Sequence, residues 1–291
     1  MAKLHYTEKF LSLQGEALYT GVPSVFLRMF GCNFKCKNFG RYEQEFLDSS
    51  QTHNPEVVEI IKNIDKYKTF NELPLVKTGC DSYSSVYPEF KRFVVKETAA
   101  ELATSLTELL PNKTWGNNHL VISGGEPLLG WQRAYPELLD QERMQDLSNL
   151  TFETNGTQPL TDSFKEYLKT WVTKKTHKTR EVLFSVSPKL PCSGELWEDA
   201  INPEIIAEYQ QFGPTYLKFV ISTAADVDYA QQAIAEYKKA GFYGEVYFMP
   251  VAGTTESYAT NAKTVAEYAL QNGIRFSDRL HLSLFGNQWG T

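Results

Sequence analysis

The sequence predicts an α/β fold, an incomplete (βα)6-type parallel barrel formed by residues 1–291 as one domain. About six apolar runs of strand length alternate with helix-period segments, and repeated βα units build a parallel sheet with right-handed crossovers. Polar residues able to do chemistry gather just after those runs, at the carboxyl ends of the expected strands, where α/β sheets and barrels keep their sites. At 291 residues, 42% hydrophobic and 22% charged, the chain can bury a sizeable core and has the composition of a soluble globular protein. Residues 1–6 hold no apolar signal region and no run reaches membrane-spanning length, so a cytoplasmic protein without a membrane partner is expected. The net charge of −6 speaks against nucleic acid as the main partner.

Taken in order, Phe10 to Glu16 and Gly21 to Ser24 flank a polar loop marked by Gly15, Gly21 and Pro23, the pattern of a hairpin before the first barrel strand. Backbone amides and the Gln14 amide in that loop could read the edge of a heterocycle. The apolar run Val25 to Phe30 reads as a buried strand interrupted by Arg28. A buried arginine is costly unless paired, and either an internal acid such as Glu16 or a ligand carboxylate would satisfy it. The ligand is favoured because Arg28 lies four residues before Cys32.

Cys32 and Cys36, spaced to let two thiolates reach one metal centre from a single loop, follow that strand. The chain has four cysteines, Cys32, Cys36, Cys80 and Cys192, and a reducing compartment disfavours disulfides. Cysteine count alone leaves buried apolar residues, a zinc site or an iron cluster open, although zinc favours two close pairs and Cys80 and Cys192 are each alone. Residues 37–79 are polar and without repeats; a helix from Pro55 to Ile64, with Asn54 as N-cap and Pro55 at its first position, is expected to cover the barrel rim or act as a lid.

A second amphipathic helix is expected over Lys96–Leu110, before Pro111. The strand from His119 to Ser123 then runs into Gly124-Gly125-Glu126-Pro127, where glycines allow close backbone approach and a carboxylate can accept from an ammonium group. Next come a strand from Leu150 ending in Glu153-Thr154-Asn155-Gly156, and a strand Glu181–Val186 ending in Ser187-Pro188-Lys189. Strands at 216–221 and 246–251 follow, with helices at 224–240, ended by Gly241, and at 259–272.

Together these motifs resemble the radical S-adenosylmethionine (SAM) enzymes, whose signature is Cys-x3-Cys-x2-Cys on the first loop of an α/β chain. Phe39 stands where the third cysteine would be, but Thr78-Gly79-Cys80-Asp81-Ser82-Tyr83 resembles the end of the cluster loop in the 7-carboxy-7-deazaguanine synthase family. Residues 37–79 are therefore read as an insertion inside that loop, with Cys32, Cys36 and Cys80 as the implied ligands of a [4Fe-4S] cluster. The segment Ser12-Leu13-Gln14-Gly15-Glu16, then Gly21 to Ser24 and Phe26-Leu27-Arg28, also resembles the synthases, with Ala17 where the family usually has glycine.

The resemblance implies substrate contacts at Leu13, Gln14, Gly15, Arg28, Ser123 and the terminal Thr291. It implies SAM contacts at Gly124, Gly125, Glu126, Ser187, Pro188 and Lys189, and a magnesium ligand in the Ser82 hydroxyl, where the family has threonine. Cys192 is expected to be structural, and the tail from Leu280 to Asn287 resembles the family's terminal strand and loop. The implied chemistry is one-electron cleavage of SAM to a radical that abstracts hydrogen from 6-carboxy-5,6,7,8-tetrahydropterin. Ring contraction with loss of ammonia gives 7-carboxy-7-deazaguanine, and SAM is regenerated. Implied partners are the pterin, an electron donor such as flavodoxin or ferredoxin, and a second copy in a homodimer. The alternatives are another small radical SAM enzyme such as a glycyl-radical activase, and a zinc-stabilised binding module.

Overall fold

The hairpin expected at the start of the chain is long: β1 (Lys3–Leu13) turns back into β2 (Pro23–Met29), antiparallel, with Glu8 directly opposite Arg28. The structure, a computed structural model, describes residues 3–174, 178–251, 253–286 and 288–291. After β2 the chain passes through 3-10 turns and α1 (Pro55–Lys62). The Asn54 side chain caps α1, accepting from Glu56 N at 2.8 Å, and Pro55 opens it, as the sequence predicts.

A short strand, β3 (Val95–Thr98), follows and pairs antiparallel with β1. The sequence reading placed helix from Lys96, but α2 (Ala99–Thr107) begins only after Thr98, whose hydroxyl and the Glu101 carboxylate form a capping box. A capping box marks a helix start that apolar periodicity alone overruns. The alternation of sheet and helix then becomes regular: β4 (His119–Gly124), α3 (Tyr135–Leu139), β5 (Asn149–Thr154), α4 (Asp162–Thr173) and β6 (Glu181–Val186). It continues with α5 (Trp197–Ala200), α6 (Pro203–Tyr209), β7 (Thr215–Ile221), α7 (Ala224–Lys239), β8 (Val246–Pro250), α8 (Thr255–Asn272), β9 (Arg275–Phe276) and α9 (Leu280–Phe285).

Among the described residues all strands join one nine-stranded sheet in the order β3-β1-β2-β4-β5-β6-β7-β8-β9, parallel from β2 onward. The six parallel strands expected from the sequence are β2 and β4 to β8; β1 and β3 extend one edge and β9 the other. The expected terminal strand is instead the helix α9. Leu280, Leu282 and Leu284 alternate like a strand, but only Leu282 is buried while Leu284 and Phe285 are exposed. Leu280 N donates to Gly15 O at 2.9 Å, so the tail is anchored end-on rather than laid along the sheet.

Strand alternation explains where the site is. Val25, Leu27 and Met29 of β2, Leu150 and Phe152 of β5 and Leu217, Phe219 and Ile221 of β7 face the helices in the main core. Their neighbours Phe26 and Arg28, Glu153, and Lys218 and Val220 face the other way, into one cavity. A second apolar cluster lies outside this core, formed by Val57 and Ile60 of α1 with Leu73, Val76, Tyr83, Val86, Tyr87, Phe90 and Phe93.

Candidate active site

The cavity, of about 260 Å³, opens at the carboxyl edge of the parallel strands. Its lining brings together Leu13, Gln14, Gly15, Arg28, Cys32, Cys36, Cys80, Ser82, Ser123, Gly124, Gly125, Ser187, Lys189 and Thr291. Residues separated by most of the chain therefore share one space. Pro188 is buried beside it, and the Glu126 side chain lies behind the wall, wholly buried.

The cysteine loop is held by hydrogen bonds to its backbone. Lys35 N and Cys36 N both donate to Glu195 Oε1, at 2.8 and 2.7 Å, and Cys36 has a positive φ of 47°. That left-handed conformation costs a non-glycine residue roughly 1–2 kcal/mol, so the carboxylate from the loop after β6 stabilises a strained turn. The segment 37–79 leaves and returns through one stapled neck. Asn54 Nδ2 donates to Lys37 O and Thr78 Oγ1 at 3.1 and 3.0 Å, Gly79 N donates to Phe39 O at 2.7 Å, and Glu56 accepts from Thr78. Cys80 is thereby returned to Cys36: the two, with Cys32, pack around Phe34 and Ala200.

Burial pushes the Cys32 thiol up to about 11 and the Cys80 thiol up to about 12, and puts Cys36 well above its ordinary range. Charge on Cys32 and Cys80 raises Cys36 further, while the Lys189 ammonium opposes the rise at all three. Among the described residues, no three His, Cys, Asp or Glu side chains are gathered around a single-ion position.

Gly124, the last residue of β4, is demanded by packing against the end of β2, and Gly125 by packing against the cysteine loop. A Cβ on Gly124, whose φ is 139°, would stand 2.2 Å from Met29 O; one on Gly125 would stand 2.3 Å from Gly31 O and 2.9 Å from Cys32 Cβ. Glu126 N donates to Gly31 O at 2.8 Å. The Glu126 carboxylate, expected to meet an ammonium group, is occupied instead. It accepts from Leu128 N, Thr154 Oγ1 and Asn155 N at 3.0, 2.8 and 2.7 Å, tying the loop to the end of β5. Burial raises its pKa.

Arg28 does not pair with Glu16. Its Nε meets Glu8 Oε1 at 2.6 Å, the residue facing it across the β1–β2 pair, and its Nη1 donates to Ser82 Oγ at 2.8 Å. Glu16 instead pairs with Lys218 and, at 3.1 Å, with Arg279, which also holds Asp81 at 2.9 Å. Burial would raise the Glu16 pKa, but Lys218 and Arg279 outweigh it and hold the carboxyl far below its ordinary value. Gln14, expected to read a ring edge, accepts from Glu16 N at 3.1 Å and donates to Glu153 Oε1 at 3.1 Å. Gly15 packs on the tail: a Cβ there would stand 2.1 Å from His281 Nδ1.

No family model matches the chain. A 7-carboxy-7-deazaguanine synthase from Pyrobaculum aerophilum is 25% identical over 290 residues, covering 99% of this chain and 97% of the relative. One from Buchnera aphidicola subsp. Schizaphis graminum is 30% identical over 193 residues, covering 63% of this chain and 69% of the relative. The chain belongs to the 7-carboxy-7-deazaguanine synthase family. The crystal structure of QueE from Escherichia coli has a similar fold, with a TM-score of 0.52 at 16% identity, covering 96% of this chain and 95% of that one.

Besides the site residues expected from the sequence, the cavity holds Glu16, Asp81, Glu153 and His281, which stand inside the quoted motif segments without an assigned role, and Glu8, Lys218 and Arg279, which stand outside them. Lys218 was legible by the argument applied to Arg28, a charge inside the apolar run from Tyr216 to Ile221. Arg279 and His281 carried no such signal, because their place depends on where the tail docks. Glu195 carried none either. Cys192 stands apart from the other thiols, packed against the main core with its Sγ 3.9 Å from Val220 O.

Proposed function

We propose that this chain is a 7-carboxy-7-deazaguanine synthase, a ring-contracting lyase that takes 6-carboxy-5,6,7,8-tetrahydropterin to 7-carboxy-7-deazaguanine with loss of ammonia. The observation that carries the reading is that three thiols, a glycine pair, Lys189 and Arg28 open onto one cavity. In this reading the sheet is an incomplete six-strand (βα) barrel with added edge strands, residues 1–291 form one domain, and 37–79 are an insertion in the cluster loop. A cytoplasmic homodimer served by flavodoxin or ferredoxin completes the proposal.

The donor set fits the implied groups. Three thiols share one apolar wall, and their raised proton affinity means that cluster assembly releases protons. Cys32, Cys36 and Cys80 would hold three irons and leave one open. The glycine backbone, Ser187 and Lys189 would hold SAM; Lys189 Nζ donates to Ser187 Oγ at 3.1 Å, which fixes an ammonium near the thiols. Bound there, cluster and SAM would supply a hydrogen-abstracting radical from one electron.

The protein's own part is placement and charge. Arg28 has five N–H donors, of which Glu8 and Ser82 take two, leaving a fork toward the substrate carboxylate. Leu13, Gly15, Ser123 and Thr291 would bound the pterin, with Gln14 acting through Glu153. The Glu16–Lys218–Arg279–Asp81 network would keep the floor rigid in its absence. Ser82, beside Asp81, would give a magnesium ion a hard oxygen ligand facing the substrate. The test is anaerobic reconstitution followed by iron and sulfide counts and electron paramagnetic resonance. The reading expects a four-iron cluster whose spectrum shifts on adding SAM; a protein that binds zinc and no cluster would overturn it.

A further inference from the structure

The last residues of the chain are docked, and on the segment between Cys36 and Cys80. The Trp289 indole Nε1 donates to Leu73 O at 2.7 Å. Its ring stands edge-on to Phe70, with centroids 4.7 Å apart, and 6.0 Å from Tyr83. Leu73 and Tyr83 belong to the second apolar cluster, so the indole is seated on a small core of its own. The next residue, Gly290, has a φ of 83° and donates its N–H to Glu8 Oε2 at 3.1 Å. The other oxygen of Glu8 holds Arg28 Nε at 2.6 Å. One unbroken path therefore runs from the segment 37–79, through an indole and two residues of tail, to the guanidinium that faces the cavity.

We infer that the segment 37–79 serves as the dock for the carboxyl-terminal tail, and that Trp289 and Glu8 are positioning residues that set Arg28 for a carboxylate on the substrate. The inference rests on the reading of Arg28 given above. Its physical basis is that a segment lying outside the sheet keeps its place only where it is tied down, here by Trp289 and Gly290. Without the indole, the Leu73 carbonyl loses its partner, and the tail loses its seat on the second core next to the Gly290 bond. A loosened tail withdraws the donor on one Glu8 oxygen, so the carboxylate is no longer fixed and Arg28, aligned by it, loses its direction. The effect is largest at the carboxylate end of the substrate, because the glycine pair stands at the end of β4 and Lys189 after β6, and of the residues that would bound the pterin Thr291 moves with the tail.

The test uses reconstituted, SAM-loaded enzyme and two fluorescent probes, 6-carboxypterin and unsubstituted pterin, with digestion of the protein by carboxypeptidase as a second readout. Trp289→Ala is expected to weaken 6-carboxypterin roughly tenfold, about 1.4 kcal/mol, to weaken pterin clearly less, and to speed release of the last residues. Trp289→Phe keeps the second core filled and removes only the N–H donor, so it guards against misfolding and is expected to show a smaller loss in the same direction. Unchanged preference for the carboxylated probe in Trp289→Ala, or equal loss of both probes, would overturn the inference. Wild-type enzyme without any preference for 6-carboxypterin would overturn the reading of Arg28 itself, a failure visible before any variant is compared.

Discussion

Replacing Glu195 by alanine removes the acceptor of two adjacent backbone N–H groups in the cysteine loop, those of Lys35 and Cys36. Hydrogen bonds to a charged group each contribute about 1.5–3 kcal/mol net, so the pair would stabilise the loop by about 3–6 kcal/mol if it were fully buried. Cys36 is held at φ 47°, and relaxing out of that region returns roughly 1–2 kcal/mol once the carboxylate is gone. Glu195 is half-buried, so water recovers part of the rest. A net loss of about 2 kcal/mol is expected, roughly a thirtyfold fall in the population of the loop that presents Cys36. The assay is the rate of iron release to a chelator from reconstituted protein under anaerobic conditions. Glu195→Ala should release iron much faster than wild type, whereas Glu195→Gln, which keeps an acceptor oxygen, should retain most of the cluster. Wild-type retention in the alanine variant would refute the reasoning, and so would equal loss in both variants, since that would assign the effect to charge.

Cys80→Ala should abolish cluster assembly while Cys192→Ala retains it, read by iron content. Gly125→Ala should impair assembly as well, because its Cβ meets backbone at Gly31 O, which cannot swing away; overpacking of this kind costs about 1–3 kcal/mol, and thermal unfolding would register it. Turnover should depend on magnesium, with Ser82→Ala losing most of the dependence and Ser82→Thr nearly neutral; equal magnesium response in wild type and Ser82→Ala would place the ion elsewhere. Burial, reinforced by Arg279, lowers the His281 pKa from its ordinary 6.5 to about 4. The unfolded chain then takes up the proton first as pH falls, so stability present above pH ~6.5 is lost toward pH ~4, up to ~3 kcal/mol. His281→Gln should flatten denaturant midpoints across that window, and an unchanged profile would show that another group governs it.

The parallel strands were legible because each is an apolar run bounded by turn residues, and the site was legible where chemistry-bearing residues stood at the ends of those runs. Pairing was not. Arg28 showed that it needed an acid, but which one depends on cross-strand register, and Glu8 faces it while Glu16 belongs to Lys218 and Arg279. The Gly-Gly-Glu motif marks Glu126 as a ligand by resemblance; its burial beneath Thr154 and Asn155 follows only once β4 and β5 are packed. The tail misled for the same reason. The resemblance gives the tail a terminal strand, yet Arg279 and Leu280 are fixed by Glu16, Asp81 and Gly15 and the chain from Leu280 to Phe285 coils into a helix. Local pattern gives way where a few tertiary bonds set the ends of a short segment.

If this one cavity performs the ring contraction, the purified protein must form the product. Reconstituted protein is incubated anaerobically with SAM, a chemical reductant, magnesium and 6-carboxy-5,6,7,8-tetrahydropterin, and the mixture is analysed by mass spectrometry. The expected result is 7-carboxy-7-deazaguanine in multiple turnovers with SAM undiminished, and no product from the Cys80→Ala protein. A wild-type protein that carries a full cluster and cleaves SAM but leaves the carboxypterin unchanged would contradict it.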